Sequence, residues 1–164
     1  GCVCYTTYTR CGVSGVNLQG DKNNCGECGK ACLSGESCCN GSCVDYQEDE
    51  RNCGSCGRAC ATGETCCGGI CSDIRYDHNN CGRCNRDCAT DDICCQGTCV
   101  DPRYDEYHCG GCTTSDISFA CTGQKQDCCG SVCADLQTDA NNCGECYHQC
   151  GGAYPHCCGG VCCP

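Results

Sequence analysis

The chain has 164 residues, a net charge of −11 from 10 basic and 21 acidic side chains, and 34 cysteines set against only 3 Leu, 4 Ile, 7 Val and 1 Phe. So few large apolar residues cannot offset chain entropy by burial, the acidity repels nucleic acid and anionic membrane surfaces, and no apolar run is long enough to span a bilayer. Disulfides must replace the missing core, each closed loop of about 15 residues contributing roughly 3 kcal/mol, and cysteine used this way belongs to an oxidising compartment, which predicts a secreted, extracellular protein.

One ladder, C-x2-C-x3-C-x5-CC-x3-C, recurs five times, with a step of 28 residues between the first cysteines of its first four copies. A period of this length predicts a tandem array of small modules, each needing its own staples. The fold class is therefore small and disulfide-rich, a linear, solenoid-like rod of modules with one short β-hairpin apiece and little or no helix.

The chain opens Gly1-Cys2-Val3-Cys4, without an initiator Met or a signal peptide, which predicts a mature chain whose targeting segment has been removed. Shifted by 28, Cys4 falls under Cys32 and Cys11 under Cys39, but Arg10 falls under Cys38 and Gly15 under Cys43. Residues 1–24 thus read as a degenerate first copy, or cap.

The first full module, 25–52, carries Cys25, Cys28, Cys32, Cys38, Cys39 and Cys43. The second, 53–80, carries Cys53, Cys56, Cys60, Cys66, Cys67 and Cys71, and the third, 81–108, carries Cys81, Cys84, Cys88, Cys94, Cys95 and Cys99. In the fourth, 109–142, eight residues, 113–120, stand where three normally separate Cys112 from the next cysteine, between Cys109, Cys112 and the later Cys121, Cys128, Cys129 and Cys133. This insertion holds Ile117 and Phe119, which read either as an exposed contact loop or as local packing under a longer loop. The fifth, 143–164, carries Cys143, Cys146, Cys150, Cys157, Cys158 and Cys162. Cys2, Cys4, Cys11 and Cys163 lie outside the ladder; they either pair locally as caps or let an incomplete first module be completed by the last residues of another subunit, a head-to-tail contact that grows a filament when its rotation does not close.

Every module ends in two residues flanked by cysteine-bearing segments, Asn40-Gly41, Gly68-Gly69, Gln96-Gly97, Gly130-Ser131 and Gly159-Gly160. These suit the positive φ angles of a tight hairpin turn, so strands such as Thr65-Cys66-Cys67 and Ile70-Cys71-Ser72 are predicted, with adjacent cysteines pointing to opposite faces and stapling in two directions. Between ladders, acidic residues and amides recur at fixed offsets: Asp45, Asp49, Asn52; Asp73, Asp77, Asn80; Asp101, Asp105, His108; Asp135, Asp139, Asn142. Their side-chain oxygens read as acceptors in turns. The alternative is a calcium site built on those eight aspartates, although the close D-x-D alternation of an EF-hand is missing.

No catalytic group, cofactor site or enzyme activity is read from the sequence. The Cys-Gly-x-Cys steps occur five times rather than once at a helix start, unlike a redox motif, an acidic chain would compound the charge of metal thiolates, and His78, His108, His148 and His156 are scattered. Tyr76 and Tyr104 share one repeat position and read as inter-repeat packing or as a stacking surface. Asn40-Gly41-Ser42 is an N-glycosylation acceptor on a turn.

The unit from Cys53 to Cys81, with its Cys-Gly-Ser-Cys-Gly-Arg-Ala-Cys start, Gly63-Glu64 centre, Cys66-Cys67-Gly68-Gly69-Ile70-Cys71 hairpin and Asp73/Asp77/Asn80 connector, resembles the stigma-specific Stig1 family of secreted cysteine-rich proteins. The resemblance covers about residues 15 to 164. It implies an apoplastic protein or peptide ligand linked to receptor-kinase ectodomains and phosphoinositides. Five tandem copies and a degenerate start depart from a short ligand. The residues themselves point first to a glycosylated structural protein that self-associates head to tail into a fibril, appendage or matrix layer, and second to a binding or signalling protein that recognises a receptor, glycan or lipid headgroup.

Overall fold

The computed structural model describes residues 8–113, 118–123 and 125–164. The chain forms two compact units, residues 1–74 and 75–164, built from the same parts. In the first unit, three antiparallel hairpins follow one another: β1 (Thr9–Cys11) with β2 (Ser14–Val16), β3 (Ser37–Cys39) with β4 (Ser42–Val44), and β5 (Thr65–Cys67) with β6 (Ile70–Ser72). In the second unit, β7 (Ile93–Cys95) pairs with β8 (Thr98–Val100), β9 (Gln126–Cys128) with β10 (Cys133–Asp135), and β11 (His156–Cys158) with β12 (Val161–Cys163). Among the described residues the only helical element is a 3₁₀ turn over His78–Asn80. The disulfide-rich, hairpin-per-module fold class read from the sequence is the one observed.

Register follows the cysteine pattern. Cys66 faces Cys71 and Cys67 faces Ile70, and the other full modules repeat this pairing of the fourth cysteine with the sixth. In the five full modules both central residues of the turn take positive φ, from 50° at Asn40 and Gln96 to 84° at Gly160, the twist that matches two-residue hairpins, whereas in the β1–β2 turn only Gly12 does.

Three-residue strands are too short to persist alone, and the staples supply the difference. Within a module the first cysteine joins the fourth and the third joins the sixth: Cys25–Cys38 with Cys32–Cys43, Cys53–Cys66 with Cys60–Cys71, Cys81–Cys94 with Cys88–Cys99, Cys109–Cys128 with Cys121–Cys133, and Cys143–Cys157 with Cys150–Cys162. The fifth cysteine points to the other face of its strand and leaves the module, reaching the second cysteine of the next in Cys39–Cys56, Cys95–Cys112 and Cys129–Cys146. The core is made of sulfur. Among the described residues the buried side chains are all cysteine except Ala134 and Ser72, and Cys25, Cys53, Cys81 and Cys143 are wholly enclosed.

The glycine after the first cysteine of each module is fixed by contact with the hairpin turn. A Cβ on Gly26 would lie 2.5 Å from the Gly41 carbonyl oxygen, and one on Gly54 would lie 2.5 Å from that of Gly69; φ is +78° and +76° at the two sites. Only glycine combines that backbone angle with so close an approach, so the Cys-Gly step locks the start of a module onto its own turn.

Candidate functional site

The regions with functional potential are the joints between modules, the connectors that build them, and the exposed departures from the repeat. At a joint, the second cysteine packs over the backbone of the preceding hairpin: Cys112 Sγ lies 3.3 Å from the Cys94 carbonyl oxygen, and Cys146 Sγ 3.7 Å from that of Cys128. The degenerate first copy joins in the same way. Cys11 bonds to Cys28, and Cys28 Sγ lies 3.9 Å from the Arg10 carbonyl oxygen. Cys11 therefore serves as a fifth cysteine, which its alignment under Cys39 could have revealed. At the other end of the sequence, Cys158 turns back to Cys163 in its own hairpin. Cys67 and Cys84 are also disulfide-bonded, and Cys2 and Cys4 lie outside the described residues.

The connector acids are turn acceptors. Asp45 Oδ1 accepts from the Gln47 N–H and Asp49 Oδ1 from the Arg51 N–H, each at 2.8 Å. The Asn52 amide then donates to Asp49 and its Oδ1 accepts from the Gly57 N–H at 2.8 Å, so one amide ties the connector to the next module's loop. Asp77, Asn80 and the Asn85 N–H repeat the relay, as do Asp139, Asn142 and the Tyr147 N–H. In the connector that ends the third module His108 replaces the amide and places Nδ1 3.0 Å from Asp105. Donation from the Asn142 amide and the Asn141 N–H holds the Asp139 carboxyl below its usual range, and donation from the Gln137 N–H and Thr138 hydroxyl does the same for Asp135. At Asp105, burial pushes the pKa up but is outweighed by donation from His108 and Tyr107.

Asp101 keeps the turn bond, its Oδ1 accepting from the Arg103 N–H at 2.9 Å, and adds an ion pair to it. Its two oxygens accept from Arg103 Nε and Nη2 at 2.9 and 2.8 Å, while Arg103 Nη1 reaches Asp91 at 3.0 Å. These contacts lower the Asp101 pKa and raise that of Arg103. The Arg103 guanidinium also lies 5.6 Å from the Tyr104 ring centre, and Arg75 lies 5.7 Å from that of Tyr76. Both tyrosines of this repeat position are thus exposed rings carrying a cation on one face.

Where sulfurs cluster, as at Cys25, Cys32 and Cys43, their mutual approach within 4.8 Å reflects two disulfides lying side by side. A sulfur bonded to sulfur offers no thiolate to a metal. The close groups of potential ligands among the described residues are all of this kind.

The insertion leaves the framework intact. In the second module the Cys53 N–H donates to the Arg58 carbonyl; in the fourth, the Cys109 N–H donates to that of Phe119, which likewise stands two residues before the third cysteine. The Phe119 ring, 36 % exposed, covers Gly111, where a Cβ would meet ring carbons at 2.9–3.1 Å. Glu27, Ser55, Arg83 and Glu145 occupy that position elsewhere, so Gly111 and Phe119 form a matched pair that reading the sequence alone missed. Ile117 lies outside the described residues. Asn40 is exposed at the first position of its turn, with φ +50°.

These features define a class: a repeat protein whose full modules are each cross-linked twice internally, with further staples passing forward from Cys39, Cys95 and Cys129 to the next module. The model of the stigma-specific STIG1-like protein family matches residues 2–72 and 61–122, most of the 164 residues, and the chain belongs to that family. Comparison with curated proteins and with solved structures gives no match. The matched region ends at residue 122, inside the fourth module, although the fifth keeps the same internal pairing. No helix among the described residues is long and apolar enough to cross a membrane.

Proposed function

We propose that the protein is a secreted, non-enzymatic structural element of the extracellular space, and that it assembles head to tail into a fibril, appendage or matrix layer with a glycan on Asn40. The observation that carries this reading is the direction of the staples. In Cys39–Cys56, Cys95–Cys112 and Cys129–Cys146 the fifth cysteine passes forward, and at Cys158 it turns back to Cys163, a framework that runs from module to module and resists mechanical and proteolytic opening. Electron microscopy of the oxidised protein tests it: filaments with an axial repeat of one subunit are expected, and dispersed monomers at high concentration would reject it. Deglycosylation that leaves the mass of the peptide spanning Asn40 unchanged would reject the glycan.

A second reading, a secreted binding or signalling protein, draws on the insertion. Phe119 and the residues before it are added without disturbing the hydrogen bonds around Cys109 and Cys121, as expected of a display loop on a rigid scaffold. Loss of receptor or glycan capture on Phe119→Ser, with the disulfide map unchanged, is the expected result for that reading.

A further inference from the structure

The charge is not spread evenly along the chain. Residues 1–20 carry a single charged side chain, Arg10, and residues 143–164 a single one, Glu145; the other 20 acids and 9 bases, a net charge of −11, all fall within residues 21–142. Two copies approaching through their middle modules meet like charge on like charge, whereas the first hairpin and the fifth module meet with one weak positive and one weak negative.

The same two regions show apolar surface. Tyr8 and Val13 are exposed on and beside the β1–β2 hairpin, and Tyr147, Tyr154 and Val161 are exposed on the fifth module, where the run 151–156 is exposed throughout and contains no charge. The fifth module also differs in its staple. The fifth cysteine is buried in the other full modules, at Cys39, Cys67, Cys95 and Cys129, but Cys158 is exposed because its bond to Cys163 stays within the hairpin.

From these observations we propose that the β11–β12 face of the fifth module, around Val161, Tyr154 and Cys158, is a self-association surface whose occupant is the β1–β2 hairpin of a second copy, residues 8–20, presenting Tyr8 and Val13. The contact is non-covalent and heterologous, so it sets a direction of growth, and the acidic middle modules suppress lateral pairing. This rests on the assembly reading above and adds to it the surface and the polarity.

A matched set of substitutions tests the surface. Val161, Ile70 and Val132 hold the same repeat position and are 67 %, 65 % and 65 % exposed, so an Asp at each differs only in the module that bears it. In sedimentation velocity on the full oxidised chain, Val161→Asp and Val13→Asp are each expected to raise the concentration needed for assembly by at least about tenfold, since a charge is desolvated at the contact. Ile70→Asp and Val132→Asp should stay within about twofold of the parent. Mixing Val13→Asp with Val161→Asp gives each intact surface one intact partner, and the mixture should form dimers and stop there, which also shows that both variants are folded. Failure of the parent to assemble overturns this proposal together with the assembly reading. Assembly of the parent and of Val161→Asp at the same concentration, equal loss in Ile70→Asp, or a mixture that remains monomeric overturns the surface and leaves the assembly reading standing.

Discussion

The second and fourth modules carry the same frame on different lengths of chain. From first to fourth cysteine the second module spans 13 residues and the fourth spans 19, yet the Cα separations of the two disulfides are 5.6 and 5.5 Å. The hydrogen bonds of the frame also coincide: the Cys60 N–H donates to the Glu50 carbonyl, and the Cys121 N–H to that of Glu106. The comparison shows that the fold is specified by sulfur pairing and by a few turn positions, while the length between the second and third cysteines is free to vary. The fourth module had only to replace a side-chain-bearing residue by Gly111 to seat Phe119.

Removing the central staple from either module should give the largest effect. Replacing Cys53 and Cys66 together by Ala is expected to cost about 3 kcal/mol in denaturant unfolding, and replacing Cys109 and Cys128 about 0.3 kcal/mol more, because the longer loop is freer when released. A reversed order would break the equivalence of the two frames. Next come Gly54→Ala and Gly110→Ala, whose Cβ atoms would fall 2.5 and 2.7 Å from turn carbonyls at positive φ. Each should cost roughly 2 kcal/mol or more, with the same loss of oxidative refolding yield in both modules. Gly111→Glu separates them: it should displace the Phe119 ring at a cost of about 1–2 kcal/mol, while Ser55→Glu in the second module stays within about 0.5 kcal/mol. Adding Phe119→Lys to Gly111→Glu should recover most of the loss in a double-mutant cycle.

The smallest effects concern the insertion and the turn acids. Deleting residues 114–118 restores the three-residue spacing and should leave stability within about 0.5 kcal/mol, since loop length enters only logarithmically. The pKa values of Asp101, Asp135 and Asp139 are lowered in the folded chain. Their contribution is therefore complete above the unfolded value of about 3.9 and is lost as the pH falls below it through the folded values. All three remain partly open to solvent, so the loss should be modest and weaker in high salt. Amide exchange at Arg103, Gln137 and Asn141 as a function of pH reads it directly; protection that rises on acidification would contradict the turn-acceptor role.

Much of the frame was legible because it rests on local chemistry. The strands Thr65–Cys67 and Ile70–Ser72 were read from two cysteines, two glycines and the period-2 alternation of a strand, and the turn role of Asp49 and Asn52 from their fixed offset before Cys-Gly. Pairing was not legible, since six cysteines admit fifteen connectivities and nothing local distinguishes Cys38 from Cys39 as the one that leaves the module. The Gly111–Phe119 pair was hidden for a similar reason: seven residues lie between the partners in sequence, and only the closed loop brings them together. In the candidate surfaces, the uneven charge could have been counted from residues alone, whereas the exposure of Cys158 follows from a bond that spacing does not announce.

The forward-passing staple is tested most directly by a disulfide map of the oxidised protein, obtained by non-reducing proteolysis and mass spectrometry with fragmentation between adjacent cysteines. The account requires Cys39 joined to Cys56, Cys95 to Cys112 and Cys129 to Cys146, with Cys38, Cys94 and Cys128 retained by Cys25, Cys81 and Cys109. Modules whose six cysteines pair only among themselves, Cys39 with Cys28 for example, would contradict it.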